Sequence, residues 1–263
     1  MRLNDNSPLF AEERRDQILL MLKEQSKLLV PELCTHFDVS QATIRNDLRE
    51  LEASGKLKRT HGGAIPVGKA SFDPISRDKK VDHKDEKRRI AAMAASLVED
   101  GDTIAIDTGT TTFELARLLV GRQRLTIVTN DLMIAFFLEN NSDASVVLTG
   151  GMLRKGFHCT TGPSVHEQMS KYNVDKAFMA TNALSLEKGL TTPGIDLADV
   201  KKAMIRIASQ VVFLVDSSKF GRISFIKFAD FDVADKIITD KGAGKKTIER
   251  MQSENDNLEV IIV

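Results

Sequence analysis

The chain has 263 residues, of which 42% are hydrophobic and 28% are charged, so it is long enough for two domains and apolar enough to bury a substantial core. Its 37 basic residues balance 37 acidic ones, which excludes a surface that is basic throughout and leaves only a local nucleic-acid site. The polar N-terminus has no apolar signal core, and no apolar run approaches the roughly 18 residues of a membrane span. We expect a cytoplasmic protein without a membrane partner.

Several classes of site are absent from the sequence. Cys34 and Cys159 lie far apart and outside a CxxC spacing, which favours reduced thiols over a zinc site or a disulfide. The loops GxxxxGK[ST], GxGxxG and GxSxG do not occur. His158 and His166 have no evident carboxylate or cysteine partner. We therefore expect no catalytic residue, no metal and no cofactor.

The sequence pattern of residues 1–65 predicts three helices and a wing. Apolar residues recur at helical spacing over residues 12–24, and Pro31 can open a second helix because its missing N–H costs little there. Ser40 is a favourable N-cap for a third helix that ends near Ala53. Two short strands around a turn follow, in KLKRTHGGAI. This order is typical of a winged helix-turn-helix domain.

The third helix and the wing carry side chains suited to DNA. Amide, hydroxyl and cationic groups donate to phosphates and base edges, with arginine matched to guanine, and asparagine or glutamine to adenine. The predicted DNA-binding residues are Ser40, Gln41, Thr43, Arg45, Asn46, Arg49, Lys58, Arg59, His61 and Gly62. Residues 40–64 hold five basic and three acidic residues, a modest field, so a helical bundle with ordinary surface charge is the alternative.

The remainder of the chain predicts a linker and an α/β domain. Residues 66–86 are polar and basic with two prolines, which indicates an extended linker with Phe72 as a packing residue. Over residues 87–263, apolar runs of four to six residues alternate with helical segments, as in a parallel sheet covered on both faces. The expected fold class is α/β, with a winged helix-turn-helix in front. Ligands of such sheets bind at the carboxyl ends of the strands.

The residues that follow the predicted strands define a candidate effector pocket. In DTGTTT, small residues would let a phosphate approach the free N–H groups at a helix start. Other strand ends supply amide, glycine and carboxylate groups, and a lysine adds a positive charge. The predicted effector-binding residues are Asp107, Thr108, Gly109, Thr110, Thr111, Thr112, Asn130, Asp131, Gly150, Gly151 and Lys219. Their chemistry suits a phosphorylated sugar.

The sequence resembles the DeoR family of bacterial transcriptional regulators over about residues 12–240. The DNA-binding part of the resemblance lies in VPELCTHFDVSQATIRNDLRELEASGKLKRTHGGA, and the sensor part in DTGTTT, TND, LTGGMLR, DKAFMATNAL and DSSKFG. It implies a sensor fold like that of ribose-5-phosphate isomerase and the glucosamine-6-phosphate deaminases. It also implies a repressor of a sugar-catabolism operon, nearest to members that regulate amino-sugar or hexitol use. The implied partners are operator double-stranded DNA, a phosphorylated sugar and further copies of the chain, as a dimer or a tetramer.

Two departures from related sequences bear on function. The family commonly has two consecutive arginines where this chain has Arg45 and Asn46, which should weaken phosphate contact or shift base preference towards adenine. The isomerases carry an acidic turn where this chain has Thr181 and Asn182, so the base that proton transfer between sugar carbons needs is missing there. We expect binding without turnover. The alternatives are a sugar-phosphate isomerase or deaminase with an accessory DNA-binding domain, and a protein-interaction module.

Overall fold

The computed structural model describes residues 10–25, 27–54, 56–60, 62–66 and 82–263. The chain divides into two compact units, residues 1–69 and 70–263. Most of the predicted linker, including Phe72, lies outside the described residues, as does His61 of the predicted wing. Within the described ranges, no helix is both long enough and apolar enough to cross a bilayer.

The N-terminal unit consists of three helices and a small antiparallel sheet. The helices are α1 (Ala11–Glu24), α2 (Val30–Phe37) and α3 (Gln41–Ala53). The strands are β1 (Leu28–Leu29), β2 (Leu57–Thr60) and β3 (Gly63–Pro66), in the order β1-β3-β2. The predicted winged helix-turn-helix is confirmed, and β1 is a further strand that the sequence pattern did not reveal.

Local contacts explain why these elements form. The Ser40 hydroxyl accepts a hydrogen bond from the N–H of Thr43 at 3.1 Å, which caps α3 as the sequence predicts. Asp38 takes a left-handed conformation, with φ of 52°, and ends α2 in a tight turn. A Cβ atom on Gly63 would lie 1.8 Å from the carbonyl oxygen of Leu28, so only glycine lets β3 pair with β1.

A buried ion pair joins α1 to α3. The guanidinium Nε of Arg14 lies 2.6 Å from Oδ2 of Asp47, and the two side chains are only 9% and 6% exposed. Arg15, next in the chain, pairs with Glu50 and lies 4.0 Å from Asp47. Asp47 therefore faces α1 rather than solvent, although the sequence analysis counted its charge on the DNA-reading helix.

The second unit contains a seven-stranded sheet and six helices among its described residues. Its helices are α4 (Lys84–Ser96), α5 (Thr110–Leu118), α6 (Leu132–Asn141), α7 (Pro163–Met169), α8 (Ile195–Arg206) and α9 (Lys245–Glu254). Its strands are β4 (Thr103–Ile106), β5 (Thr126–Thr129), β6 (Ser145–Leu148), β7 (Met152–Arg154), β8 (Cys159–Thr161), β9 (Val174–Met179), β10 (Ala183–Ser185), β11 (Gly189–Thr192), β12 (Ala208–Leu214), β13 (Ile226–Ala229), β14 (Lys236–Thr239) and β15 (Glu259–Ile262). The large sheet is parallel, in the order β15-β14-β12-β9-β4-β5-β6.

The strand order positions the site. From β4 the chain builds outwards through β5 and β6, and it then returns to the other side of β4 to add β9, β12, β14 and β15. The order therefore reverses between β4 and β9, and a crevice opens at such a point beyond the carboxyl ends of the strands. Helices cover both faces, since Ile104 and Ile106 pack in one buried cluster and Ala105 in another. The predicted α/β class is confirmed.

Two small sheets and one helix start differ from the expectations drawn from the sequence. Strands β7 and β8 form a hairpin, and β10, β11 and β13 form a separate antiparallel sheet. These strands have three or four residues each, and each includes at least one polar or charged residue, so they give no continuous apolar run. Helix α4 begins at Lys84, inside the segment of residues 66–86 that was expected to be a linker, because Asp85 and Glu86 suit the positive end of the helix dipole.

Removal of the Arg14–Asp47 pair should lower the stability of the N-terminal unit. In Arg14→Met, a buried carboxylate loses its closest cation, so we expect the free energy of unfolding to fall by about 3 kcal/mol. Arg15→Met removes only a more exposed pair and should cost less than about 1 kcal/mol. Urea unfolding followed by circular dichroism measures both. Equal losses in the two variants would contradict the assigned role of the buried pair.

Candidate functional site

The predicted DNA-binding residues form an exposed surface on α3 and the wing. Among those that the structure describes, Thr43 is half-buried, and the others are exposed: Ser40, Gln41, Arg45, Asn46, Arg49, Lys58, Arg59 and Gly62. Their accessibility fits the predicted role, which stays a prediction. Ser40 and Thr43 also serve the structure, because their hydroxyl groups lie 2.9 Å apart at the helix cap.

Side-chain pairs orient the arginines of this surface. The Arg45 guanidinium donates to Oε1 of Gln41 at 3.2 Å, and that of Arg49 donates to Oδ1 of Asn46 at 2.9 Å. Each arginine is thus held beside an amide that can itself read adenine. The pairing of Arg49 with Asn46 gives the asparagine a local function that sequence spacing alone did not indicate.

Arg59 ties the wing to α3. Its backbone N–H and its guanidinium Nε donate to the carboxylate of Glu52 at 2.9 and 2.7 Å. These bonds, from the backbone first and then the side chain, lower the pKa of Glu52 and keep it ionised. The pair offsets part of the positive charge that the sequence assigned to the wing.

A cleft of about 390 Å³ lies between α3 and the wing. Arg45 and Arg59 contribute cations to its walls. The Thr60 hydroxyl is buried at the wing and has no hydrogen-bond partner among the described residues. Glu52, which is paired with Arg59, also lines the cleft and offsets part of its positive charge.

The first effector loop is built on a buried carboxylate at the switch point. Asp107 is 0% exposed, and its Oδ2 accepts hydrogen bonds from the ammonium of Lys201 and from the N–H of Ala180 at 3.0 Å. Its Oδ1 accepts from the N–H of Thr108 at 2.9 Å. Lys201, 3% exposed, also donates to the carbonyl of Ala180 at 2.8 Å. Asp107 therefore holds the loop through hydrogen bonds to both of its carboxylate oxygens.

Sequence reasoning missed Lys201, although a signal for it exists. On α8 it stands among buried residues at helical spacing, between Leu197 and Met204. A lysine on an apolar helix face needs a buried acceptor or counter-charge. Asp107, at the end of an apolar strand, is an acidic residue in an equally apolar stretch and is therefore a candidate for that counter-charge.

Helix α5 begins directly after Gly109 without a described side-chain cap. The first N–H groups of a helix lack partners within it, so they and the helix dipole favour an anion at this end. A Cβ atom on Gly109 would lie 3.0 Å from the Cβ of Ala180 and 3.1 Å from Oγ1 of Thr112. The side chains of Thr111 and Thr112 are buried, so only their backbone is suited to bind an anion.

Asp131 connects the β5 end to this loop. Its Oδ1 caps α6 by accepting from the N–H groups of Met133 and Ile134 at 2.8 and 3.1 Å, while its Oδ2 accepts from the hydroxyl of Thr108 at 2.7 Å. Burial raises the pKa of Asp131, and the bond from Thr108 only partly opposes this. Burial likewise raises the pKa of the nearby Cys159 thiol to about 11, which keeps the thiol protonated and unreactive.

Three other predicted effector residues make contacts that hold the fold. Asn130 is buried and donates to the carbonyl of Thr160 at 2.8 Å, while its Oδ1 has no partner within the described ranges. Both backbone groups of Gly150 bond to the amide of Gln168. A Cβ atom on Gly151 would lie 2.6 Å from the carbonyl oxygen of Thr161. The two glycines therefore fix the turn between β6 and β7.

A cavity of about 330 Å³ opens beside the α5 start. It brings together three predicted residues with seven that sequence reasoning did not assign to the effector site. The lining residues are Lys84, Lys87, Gly109, Thr110, Phe113, Glu114, Asp131, Met133, Phe157 and His158. The predicted cation Lys219 is not among them; it lies partly exposed, with Nζ 3.8 Å from Oδ2 of Asp216.

The cavity combines cations, a helix start and aromatic walls. Lys84 and Lys87 face it from the first turn of α4, and Phe113 and Phe157 supply apolar surface. Glu114 is engaged by Arg117 at 3.6 Å and by Arg88 at 3.9 Å. Such a site can hold an anionic group at one end and the apolar face of a small polar molecule at the other.

The comparisons with known proteins agree with this two-part structure. Residues 14–69 match the family model described as "DeoR-like helix-turn-helix domain", and residues 82–241 match the one described as "DeoR C terminal sensor domain". The HTH-type transcriptional regulator GlpR of Haloferax volcanii is 39% identical, over 92% of this chain and 94% of its own length. A putative aga operon transcriptional repressor of Escherichia coli O157:H7 is 34% identical, over 95% and 93% of the respective chains.

Among solved structures, ribose 5-phosphate isomerase A of Methanocaldococcus jannaschii is similar over 53% of this chain and 55% of that chain. The sequence identity is 21% and the TM-score 0.40, a likeness too low to carry an argument about activity. The resemblance stated from the sequence motifs is confirmed by the family models and by the relatives. Those relatives are transcriptional regulators and not enzymes.

The raised pKa of Asp131 predicts a pH dependence of stability. Below the ordinary Asp pKa of about 3.9, the carboxyl is protonated in the folded and unfolded states, and its burial as a charge costs nothing. As the pH rises through the raised pKa, the folded wild type must ionise a buried group. The amide of Asp131→Asn can still cap α6 but does not ionise. We therefore expect the stability of the wild type, relative to this variant, to fall with rising pH.

Thermal unfolding of both proteins between about pH 4 and pH 7 measures this difference. The exposed Asp143 provides a matched control, because Asp143→Asn also removes one carboxylate. A wild-type minus Asp131→Asn difference that stays constant with pH would show that burial does not oppose the ionisation of Asp131.

Proposed function

We propose a specific role for this chain, which belongs to the DeoR family of transcriptional regulators: it represses a carbohydrate-catabolism operon and releases the operator when a phosphorylated sugar binds. The observation that carries the proposal is the cavity beside Gly109, where an uncapped helix start faces two lysines. The volume of about 330 Å³ lies at the small end of the range for ligand pockets, as suits a single sugar phosphate.

The phosphate group belongs at the α5 start in this proposal. The N–H groups after Gly109 and the helix dipole favour a dianion, and Lys84 and Lys87 add two positive charges within the same cavity. The sugar ring then lies towards Phe113 and Phe157, whose rings suit its apolar C–H face. The hydrogen bond from the hydroxyl of Thr108 to Asp131 holds the loop in place.

The DNA-binding surface on α3 and the wing supplies the operator contact. Arg45 and Asn46 suit guanine and adenine, while Lys58 and the wing backbone suit phosphates. Two copies of the chain would place two such helices on adjacent half-sites, so we propose a dimer or a tetramer. Operator binding also implies a cytoplasmic location. The amino-sugar or hexitol class of the operon rests on the motifs that resemble those family members.

The geometry of the β9 end supports sensing over turnover. The hydroxyl of Thr181 donates to the carbonyl of Ala183 at 2.9 Å, and Oδ1 of Asn182 accepts from the hydroxyl of Thr192 at 2.9 Å. These side chains hold the neighbouring small sheet together and offer no carboxylate base. Asp196 and Asp199, the nearby acids in the sequence, are exposed on α8 and are not among the cavity's lining residues.

The effector assignment predicts a ligand-specific gain of stability. Glucosamine 6-phosphate and glucitol 6-phosphate represent the two sugar classes, and each is compared with its unphosphorylated parent. At 100 times its Kd, a ligand stabilises the native state by about 2.7 kcal/mol, which raises the thermal unfolding temperature measurably. We expect one phosphosugar to do so and its parent to have no effect.

Two lysine variants locate the phosphate in that assay. Lys84→Met should reduce the thermal shift, since Lys84 lines the cavity. Lys219→Ala tests the cation predicted from the sequence; loss of the shift there, with Lys84→Met unaffected, would move the phosphate away from α5. Failure of a wide panel of phosphosugars to stabilise the wild type would contradict the sensor assignment.

The DNA-binding assignment predicts the effect of Arg45→Ala. Loss of a base contact should weaken operator binding by about 1–3 kcal/mol and relax the sequence preference at one position. Fluorescence anisotropy with a duplex selected by the protein from a random pool measures both effects. Arg250→Ala, at an exposed arginine of α9, is the matched control. Wild-type affinity in Arg45→Ala would place the DNA surface elsewhere.

A further inference from the structure

Lys87 stands out among the residues that line the cavity. It lies in the first turn of α4, it is only 4% exposed, and it lines the cavity beside the α5 start. Its ammonium also donates to the backbone carbonyl of Asp82 at 2.6 Å. The same charged group therefore serves both the effector cavity and the backbone that precedes α4.

The position of Asp82 in the chain makes this contact relevant to regulation. It is the first described residue after residues 67–81, through which the chain passes from the DNA-binding unit to the sensor unit. Helix α4 itself is anchored, because Ile90, Ala91 and Ala94 are completely buried in the core of the sensor unit. A change at Lys87 therefore acts on the chain before α4 rather than on the helix.

The chemistry of the ammonium group allows both contacts at once. A lysine ammonium has three donors and no acceptor, so it can bind a phosphate oxygen and a carbonyl oxygen together. A buried cation gains most from an anionic partner in a region of low dielectric constant. A phosphate monoester in the cavity would therefore fix the ammonium in place and, with it, the carbonyl of Asp82.

We propose that Lys87 is the relay between effector and DNA: it binds the phosphate of the effector and thereby fixes the chain at Asp82, where the sensor unit begins. This inference rests on the proposed function of the cavity and adds its means of regulation. The coupling is reciprocal. If bound effector changes the affinity of the protein for DNA by some factor, then bound DNA changes its affinity for the effector by the same factor.

Lys84 provides the matched control. It lines the same cavity from the same helical turn, but it is exposed and donates to no described backbone carbonyl. Lys84→Met should weaken effector binding and leave the relay intact. Lys87→Met should weaken effector binding and also break the relay. The two variants therefore separate binding from transmission.

The experiment measures DNA affinity at saturating phosphosugar, with occupancy verified for each variant by isothermal titration calorimetry. The DNA is a duplex selected by the wild-type protein from a random pool, and the ligand is the phosphosugar that stabilises the wild type. We expect the ligand to change DNA affinity by roughly 5–150-fold in the wild type and in Lys84→Met. In Lys87→Met at equal occupancy, we expect the change to be less than about twofold, well below that range.

Hydrogen exchange gives a second readout that does not depend on DNA. The backbone N–H groups of residues 83–86 lie before or within the first turn of α4, so their exchange reports how firmly this segment is held. Ligand should slow their exchange in the wild type and in Lys84→Met, and should leave it unchanged in Lys87→Met. This readout stays informative if Lys87→Met folds but binds DNA weakly.

The outcomes distinguish the relay from the function on which it rests. A ligand that releases DNA from Lys87→Met as fully as from the wild type, with unchanged exchange at residues 83–86 in all three proteins, overturns the relay and leaves the sensor intact. Absence of any phosphosugar binding to the wild type overturns the sensor itself.

Discussion

A buried ion pair between Asp107 and Lys201 lies where the strand order of the sensor sheet reverses. Through it α8 is bonded to the ends of β4 and β9, because Asp107 also accepts from Ala180 and Lys201 also donates to that residue's carbonyl. The loop that follows Asp107 takes its course from these bonds. If either partner were removed, a buried charge would remain, and the α5 start would lose the support that aims it at the cavity.

The chain as a whole carries no net charge, and its two units place their charges in different ways. In the N-terminal unit, acidic side chains of α3 are paired within the unit, Asp47 with Arg14 and Glu52 with Arg59. The cations that remain on the exposed surface of α3, such as Arg45, therefore give that surface a positive charge that is confined to it. In the sensor unit, Lys84 and Lys87 line the same cavity as the α5 start, together with the acids Glu114 and Asp131. Glu114 is paired with Arg88 and Arg117, so the two lysines are the cations that the proposed anionic effector would meet.

Much of this architecture could be predicted from the sequence, because local rules determine it. Ser40 caps α3 as its residue type suggests, and apolar runs alternating with helices indicated the parallel sheet. The cations of the cavity could not be predicted, since Lys87 meets Gly109 only through the packing of α4 on α5. Asp107 and Gly150 were correctly placed at strand ends, yet a strand-end position does not show that a side chain or a backbone N–H is already engaged within the protein.

In the proposed mode of sensing, the cavity binds a phosphate monoester between the α5 start and the lysines of α4. A crystal structure of the protein with the phosphosugar that stabilises it would locate the phosphate. We expect phosphate density within hydrogen-bond distance of the backbone N–H groups after Gly109 and of the ammonium group of Lys87. Phosphate density elsewhere, for example beside Lys219 with the cavity empty, would contradict this mode of sensing.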